Sequence, residues 1–392
     1  MVKELFIYLY LLIFKTAFSF FNMLPLKEKV TFVVSFGDNS KYVFEEIRKQ
    51  KHNIQVIFLC KKSTINLFKD YNDIKLVPLE TSKVFTPFWF MSIYHLATSR
   101  YILIDNYFGF LAGVDFKKGV ECIQLWHATG ALKKFGLEDE TIRSRHIKAK
   151  ERFLKVYSKF NKVVVGSDIM ADTFARSFNL NKSQILATGI PRTDFFFNEN
   201  EVNLARKKLA SQFNCNNKKV ILYTPTYRDE ELDKFKLKLD VGKMSDKLGN
   251  EFILLLRLHP AIQKLVSINQ FSEFIIDVSS NEYDINELLI MADYLITDYS
   301  SVSFEFSLLK KPIIFYTYDL DEYKSTRGVL DDFENNLPGP IVRDTESIIE
   351  LIQEGYFDLE GISRYSEKWN QYSKGQSSYN LVKYMFPNKK II

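Results

Sequence analysis

The sequence predicts an α/β protein of two domains, each a parallel sheet with helices on both faces. Two observations carry this. Short apolar, β-branched runs alternate with amphipathic helical patterns, the signature of strands joined by crossover helices. A second such series begins after a polar stretch at residues 198–219. The size, 392 residues with 46% hydrophobic and 26% charged, suits two globular domains with ordinary cores.

The elements follow in order. Residues 1–24 open with an apolar run, Leu5 to Phe14, interrupted by Lys15. A spanning helix takes about 20 apolar residues with few charges. This stretch is marginal by that measure, with a lysine near its middle, and reads as a membrane-associating helix with Lys15 snorkelling, or as a helix on the protein's own surface. Residues 25–200 hold the first strand series: "VTFVVSF" (30–36), "IQVIFLC" (54–60), "YILIDN" (101–106), "ECIQLW" (121–126), "KVVVGS" (162–167), then "ILATGIPRTD" (185–194). Within it, "IRSRHIKAKERFLKVYSKFNK" (142–162) has Glu151 as its one acid, and Ile147, Leu154, Tyr157 and Phe160 at helical spacing. A cationic amphipathic helix of this kind binds anionic lipid, with Arg145, Lys148 and Lys155 on its basic face. Residues 201–392 hold the second series: "VILYTP" (220–225), "FILLLRLHP" (252–260), "FIIDVS" (274–279), "YLITD" (294–298) and "PIIFY" (312–316).

The net charge of +5 is too mild to name a partner, and no nucleic-acid motif is present. Three scattered cysteines suit a reducing compartment, and no cluster has metal-ligand spacing. Neither a metal nor a cofactor is expected.

Open α/β sheets bind ligands beyond the carboxyl ends of their strands. Those ends are polar: His127; Thr226 with Arg228; Arg257 and His259; Ser279; and Asp298 followed by Ser300 and Ser301. In "TDYSSVSFEF" the serine pair stands at an expected helix N-terminus, an anion site by its free N–H groups and dipole. Glu305 lies one turn in, placed to take a ribose diol. Two of the five histidines end strands, one in each half, and Arg192 sits in a third strand-end loop. The set suits a diphosphate with a histidine for proton transfer. Without a Gly-rich P-loop, a kinase-type nucleotide site is not expected.

The segments "ATGIPRTD", "YTPTYRD", "LLRLHP", "DINELLIMADYLITDYSSVSFEF", "KKPIIFYTYDLDEY" and "RGVLDDFENNLPGP" together resemble the CDP-glycerol glycerophosphotransferase family of teichoic acid synthesis. The resemblance implies two Rossmann-like domains as in GT-B enzymes. It implies transfer of glycerol phosphate from CDP-glycerol to a lipid-linked acceptor, with CMP released, at the cytoplasmic membrane face of Gram-positive bacteria. His127 matches the family's expected general base and His259 its Arg-x-His-Pro histidine. Arg192, Pro225, Thr226, Arg257, Ser300, Ser301 and Glu305 match positions that hold CDP-glycerol, and Arg327 is a further diphosphate candidate. The chain has His127-Ala128-Thr129-Gly130 where chain-extending members carry His-Gly-Thr-Pro. That version resembles the family's primases, which add one unit to the N-acetylmannosamine of an undecaprenyl-diphosphate disaccharide. Chain extension and nucleotide-sugar transfer are the alternatives. The small residues after His127 are expected to form a flexible loop that admits a bulky acceptor.

Overall fold

A computed structural model describes residues 2–81, 83–139, 141–213, 215, 217–228, 235–259, 262, 273–280, 282–326, 328–330 and 332–387. The chain forms two compact units. The first comprises residues 1–127, 135–194 and 372–392, the second residues 128–134 and 195–371.

In the first unit, helix α1 (Val2–Asn22) precedes β1 (Lys27–Val34), α2 (Asp38–Lys49), β2 (Gln55–Cys60), β3 (Ile74–Pro78), α3 (Pro87–Thr98), β4 (Ser99–Ile104) and β5 (Glu121–Gln124). There follow α4 (Thr141–Ser144), α5 (Ile147–Tyr157), β6 (Lys162–Val164), α6 (Asp168–Phe178) and β7 (Ile185–Leu186). The sheet order is β3-β2-β1-β4-β5-β6-β7, and every pairing is parallel. Residues 29–34 of β1 are all buried, as a central strand covered on both faces must be. Val30, Phe32 and Val34 point into one core cluster with Val43, Phe44 and Ile47 of α2. The turn from β1 to α2 needs Gly37, whose φ is +100° and where a Cβ would lie 2.8 Å from Leu67.

The second unit adds α7 (Glu199–Gln212), β8 (Lys219–Thr224), α8 (Val241–Leu248), β9 (Phe252–Leu256), β10 (Ile275–Asp277), α9 (Ile285–Met291), β11 (Tyr294–Thr297) and α10 (Val302–Ser307). It continues with β12 (Ile313–Tyr316), α11 (Leu320–Thr326), β13 (Ile341–Val342), α12 (Thr345–Glu354) and α13 (Leu359–Trp369). Its sheet, β10-β9-β8-β11-β12-β13, is parallel and repeats the first unit's winding outward from a central first strand. Both units are Rossmann-like. Helix α14 (Ser377–Met385) then returns to the first unit. Its Leu381, Val382 and Met385 enter the same cluster as α2, and Asp194 accepts the N–H groups of Ser377 and Ser378, both at 2.8 Å.

These units differ from the division expected at residue 200. The changeover falls between 194 and 195, residues 128–134 join the second unit, and residues 372–392 rejoin the first. Strands β3 and β13 are additions to the sequence reading; both are short strands at the edges of their sheets.

Helix α1 packs Phe14 and Phe18 into the unit, with Phe14 against Trp89 and Phe110 at 5.8 and 5.2 Å. Its other sides expose Leu5, Phe6, Tyr8, Leu9, Leu12 and Phe20. Residues 3–22 are long and apolar enough to cross a membrane by length and composition. Lys15 pairs with Asp115 at 3.1 Å, and Glu4 pairs with Arg152.

The basic stretch is not one helix. It breaks at Arg145–His146 between α4 and α5, where His146 accepts the Lys148 N–H at 3.2 Å as a cap. Its expected apolar face divides as well: Tyr157 and Phe160 are buried, while Ile147 and Leu154 stay exposed. Arg145 lies over the Phe153 ring at 5.3 Å, and Lys148 and Lys155 are exposed.

Candidate functional site

In the first unit the site is built around the end of β5. Trp126 adopts φ +58°, a left-handed conformation that costs a bulky residue of order 1–3 kcal/mol. It is held from both sides: its N–H donates to the Gln124 side chain at 2.9 Å, and its carbonyl accepts from Asn39 at 2.9 Å. This kink carries the half-buried His127 off the strand. The His127 ring stacks on Phe36, centroids 4.3 Å apart, and its Nδ1–H donates to the Asp105 carbonyl at 3.1 Å. In the neutral imidazole that bond leaves Nε2 as the basic nitrogen.

Asp105 ends β4 across the switch point from β1. Its carboxylate accepts the N–H groups of Ser35, Phe36 and Gly37 at 2.8–3.0 Å. Desolvation outweighs these bonds and raises its pKa to about 6. Arg192, buried in the segment after β7, places its N–H on Asn39 at 3.0 Å and its guanidinium 3.4 Å from Asp38. Asn39 therefore ties the Trp126 kink to Arg192.

The second unit repeats the device. Asp298 ends β11, across the switch point from β8, and accepts the Thr226 N–H and hydroxyl at 2.9–3.1 Å. That grip fixes the Pro225–Thr226 turn. Arg228, read as a substrate ligand, is already engaged by carboxylates. It meets Asp319 through two nitrogens at 2.7 and 3.0 Å, and Asp298 at 3.3 Å. Tyr299, Tyr318 and Tyr323 ring it at 4.7–5.6 Å. Burial works to lower the pKa of Arg228, but Asp319 and Asp298 raise it on balance. Asp319 and the tyrosines were not singled out from the sequence. The only signal for Asp319 is its place in "YDLDEY" after β12.

Arg257 donates to the carbonyls of Val278, at 2.6 Å, and Ser280, so it is fixed by the loop after β10. His259 packs on Tyr227, centroids 4.5 Å apart. Part of its ring is open to solvent, yet its pKa falls to about 4. Desolvation by the surrounding chain is the largest cause, followed by the positive charges of Lys133 and Arg257. It is neutral at pH 7.

Ser300 and Ser301 precede α10, but the expected side-chain cap is not made. Ser301 is in a helical conformation and its hydroxyl makes no capping bond. Ser300 reaches only 3.5 Å from the Val302 N–H. With six residues in α10, the hydroxyls lie at a short helical turn.

Glu305 is not at the surface. It is 1% exposed and accepts the Thr129 hydroxyl at 2.6 Å. This corrects the reading of the loop after His127. Thr129, Gly130, Ala131 and Leu132 are buried in the second unit. A Cβ on Gly130 would lie 2.6 Å from the Phe304 ring, and Leu132 and Lys133 pair with the 329–330 backbone. Small residues are there because Phe304 leaves no room, and the loop is anchored. Lys133 is exposed, and Lys324 pairs with Glu334 at 2.5 Å. Arg327 lies outside the described residues.

No group of three His, Cys, Asp or Glu side chains that could hold a metal occurs among the described residues.

Two solved structures share the fold. The wall teichoic acid polymerase TagF aligns with 99% of this chain and 98% of its own at a TM-score of 0.79 and 24% identity. UDP-GlcNAc 2-epimerase from Neisseria meningitidis aligns with 92% of this chain and 100% of its own at 0.60 and 16%. At the level of sequence, the chain is 38% identical over 380 residues to the teichoic acid glycerol-phosphate primase of Bacillus subtilis (strain 168), covering 96% of each. Residues 16–387 match the family described as CDP-Glycerol:Poly(glycerophosphate) glycerophosphotransferase. That match takes in both sheets and every strand end described above, and the chain belongs to this family.

Proposed function

We propose that the protein transfers glycerol phosphate from CDP-glycerol to a hydroxyl of the N-acetylmannosamine in an undecaprenyl-diphosphate-linked disaccharide, releasing CMP. His127 Nε2 takes the acceptor proton as the hydroxyl oxygen bonds to the β-phosphorus. The bond from that phosphorus to the bridging oxygen breaks, and the charge left on CMP is met by Arg257, neutral His259 and the Ser300–Ser301 turn. Thr226, with Pro225, borders the diphosphate, and Arg228 acts through Asp298 and Asp319 to hold that turn. Arg192 and Glu305 complete the donor contacts, and Arg327 is a further candidate for the diphosphate. The observation that carries this reading is the fixed His127 ring in a member of this family.

Single addition is favoured by the His127-Ala128-Thr129-Gly130 sequence and by the 38% identity to the Bacillus subtilis primase. Incubation with CDP-glycerol and a short-chain lipid disaccharide, followed by mass analysis, tests both points. A gain of one glycerol phosphate is expected. A ladder of additions makes the enzyme a chain extender, and transfer from a UDP-sugar instead makes it a glycosyltransferase.

Attachment to the cytoplasmic membrane face is part of the same proposal. Its support is the exposed apolar side of α1 together with Ile147 and Leu154 on α5, beside the cations Arg145, Lys148 and Lys155. Lys15, through Asp115, steadies α1 against the unit.

A further inference from the structure

Within the first unit, the segments that follow β2, β3 and β4 open onto a cavity of about 480 Å³, closed by α1 and α5. This is an ordinary size for a small-molecule site. It has two kinds of wall. Lys3, Lys61 and Arg145 bring positive charge from three different elements, while Tyr107, Phe110 and Phe153 supply flat apolar surface. Among the described residues, those lining it include no acid; Arg152, also in the wall, is paired with Glu4 behind it.

A free anion would gain nothing from the aromatic wall, and a plain hydrocarbon would gain nothing from the cations. A molecule carrying a phosphate at one end and an apolar chain at the other matches both. The surroundings favour the same molecule. Helices α1 and α5, which wall the cavity on one side, carry the exposed Leu5, Leu9, Ile147 and Leu154 on their other sides, the sides given to the membrane above, so the cavity lies behind the proposed lipid contact. The cavity is tied to His127 as well. Tyr107 follows by two residues Asp105, whose carbonyl holds the imidazole. Two residues of chain span at most about 7 Å.

We infer that this cavity is a lipid-phosphate site, with Lys3, Lys61 and Arg145 on the phosphate and Tyr107, Phe110 and Phe153 on the first units of the chain. It deepens the acceptor reading above and rests on it for the identity of the lipid. It assigns the phosphate end of the acceptor to the same unit as the base.

The full-length protein is titrated by calorimetry with farnesyl diphosphate, farnesol and inorganic diphosphate, and separately with CDP-glycerol. Farnesyl diphosphate is expected to bind at least about ten-fold more tightly than either of its parts. Ala149→Trp, which fills the cavity from α5, and Lys61→Glu should each weaken that binding by about ten-fold or more, with CDP-glycerol affinity unchanged. Lys61→Glu keeps the test open if the tryptophan variant does not fold. Native affinity for farnesyl diphosphate in a folded Ala149→Trp or Lys61→Glu protein overturns the inference, and so does inorganic diphosphate binding as tightly as the farnesyl compound. Cavity-dependent farnesyl diphosphate binding in a protein that ignores CDP-glycerol supports the inference while removing the donor reading.

Discussion

His127→Ala is expected to lower turnover by about 10²- to 10⁴-fold and leave the CDP-glycerol dissociation constant near native, because the base faces the acceptor. Steady-state rates and donor titration together check this, and near-native turnover removes His127 from the step. Arg228→Ala strands Asp298 and Asp319. Breaking a buried pair from one side costs about 3–5 kcal/mol. The small remaining exposure of Arg228 puts the expected loss near the lower end, read as a shift in the urea midpoint. His259 gives a pH signature. Its folded pKa, about 4, lies below the unfolded value near 6.5, so the unfolded chain binds the extra proton first. The stability contributed by neutral His259 is present above about pH 6.5 and is lost as pH falls toward 4. His259→Gln should therefore flatten the decline in unfolding free energy between those pH values; an unchanged slope contradicts the assignment. Much of this site was legible in the sequence, because strand ends can be located from β-branched runs and the polar residues there counted. The engagement of Arg228 was not, since Asp319 follows it by 91 residues and only the sheet winding brings them together.

At the scale of elements, the two units solve one problem twice. A carboxylate at the end of the fourth strand in sequence (Asp105) or in the corresponding place (Asp298) grips the turn after the first strand of its sheet. The sequence hides this repeat, because what recurs is a position in the winding and not a run of residues. The 128–134 segment shows the opposite failure. Its small residues read locally as flexibility, whereas Gly130 is dictated by a ring 174 positions away. Phe304 has little room to retreat, being stacked on Tyr365 at 5.4 Å and packed against the tilted Trp369 ring at 4.6 Å. Gly130→Val should thus destabilise by about 1–3 kcal/mol as overpacking, and adding Phe304→Leu should recover part of it in thermal unfolding. A fully additive double variant would place the clash elsewhere. The apolar pattern around α5 does not form one face: Tyr157 and Phe160 are buried while Ile147 and Leu154 stay exposed, because burial is set by packing partners that the period does not reveal.

For the whole molecule, the exposed apolar side of α1 predicts association with anionic vesicles. Reversing Arg145, Lys148 and Lys155 to glutamate should weaken it, each basic residue near such a surface contributing about 1 kcal/mol. The native advantage should shrink at high salt, as measured by vesicle sedimentation. Native protein that stays in the supernatant at low salt removes the peripheral model.

The return of the chain to its first unit bears on how the protein is made. Helix α14 and Phe386 complete the core that α2 faces, yet they leave the ribosome only after the whole second unit. At about 5–20 residues per second, synthesis of the intervening unit holds that core open for roughly ten to thirty-five seconds. The second unit is whole by the time its residue 371 emerges, while the first awaits its final helix. While the second unit is made, the part of the α2 face that α14 covers waits for its partner. A chain that ends before α14 is expected to hold one finished unit and one whose core lacks Leu381, Val382 and Met385.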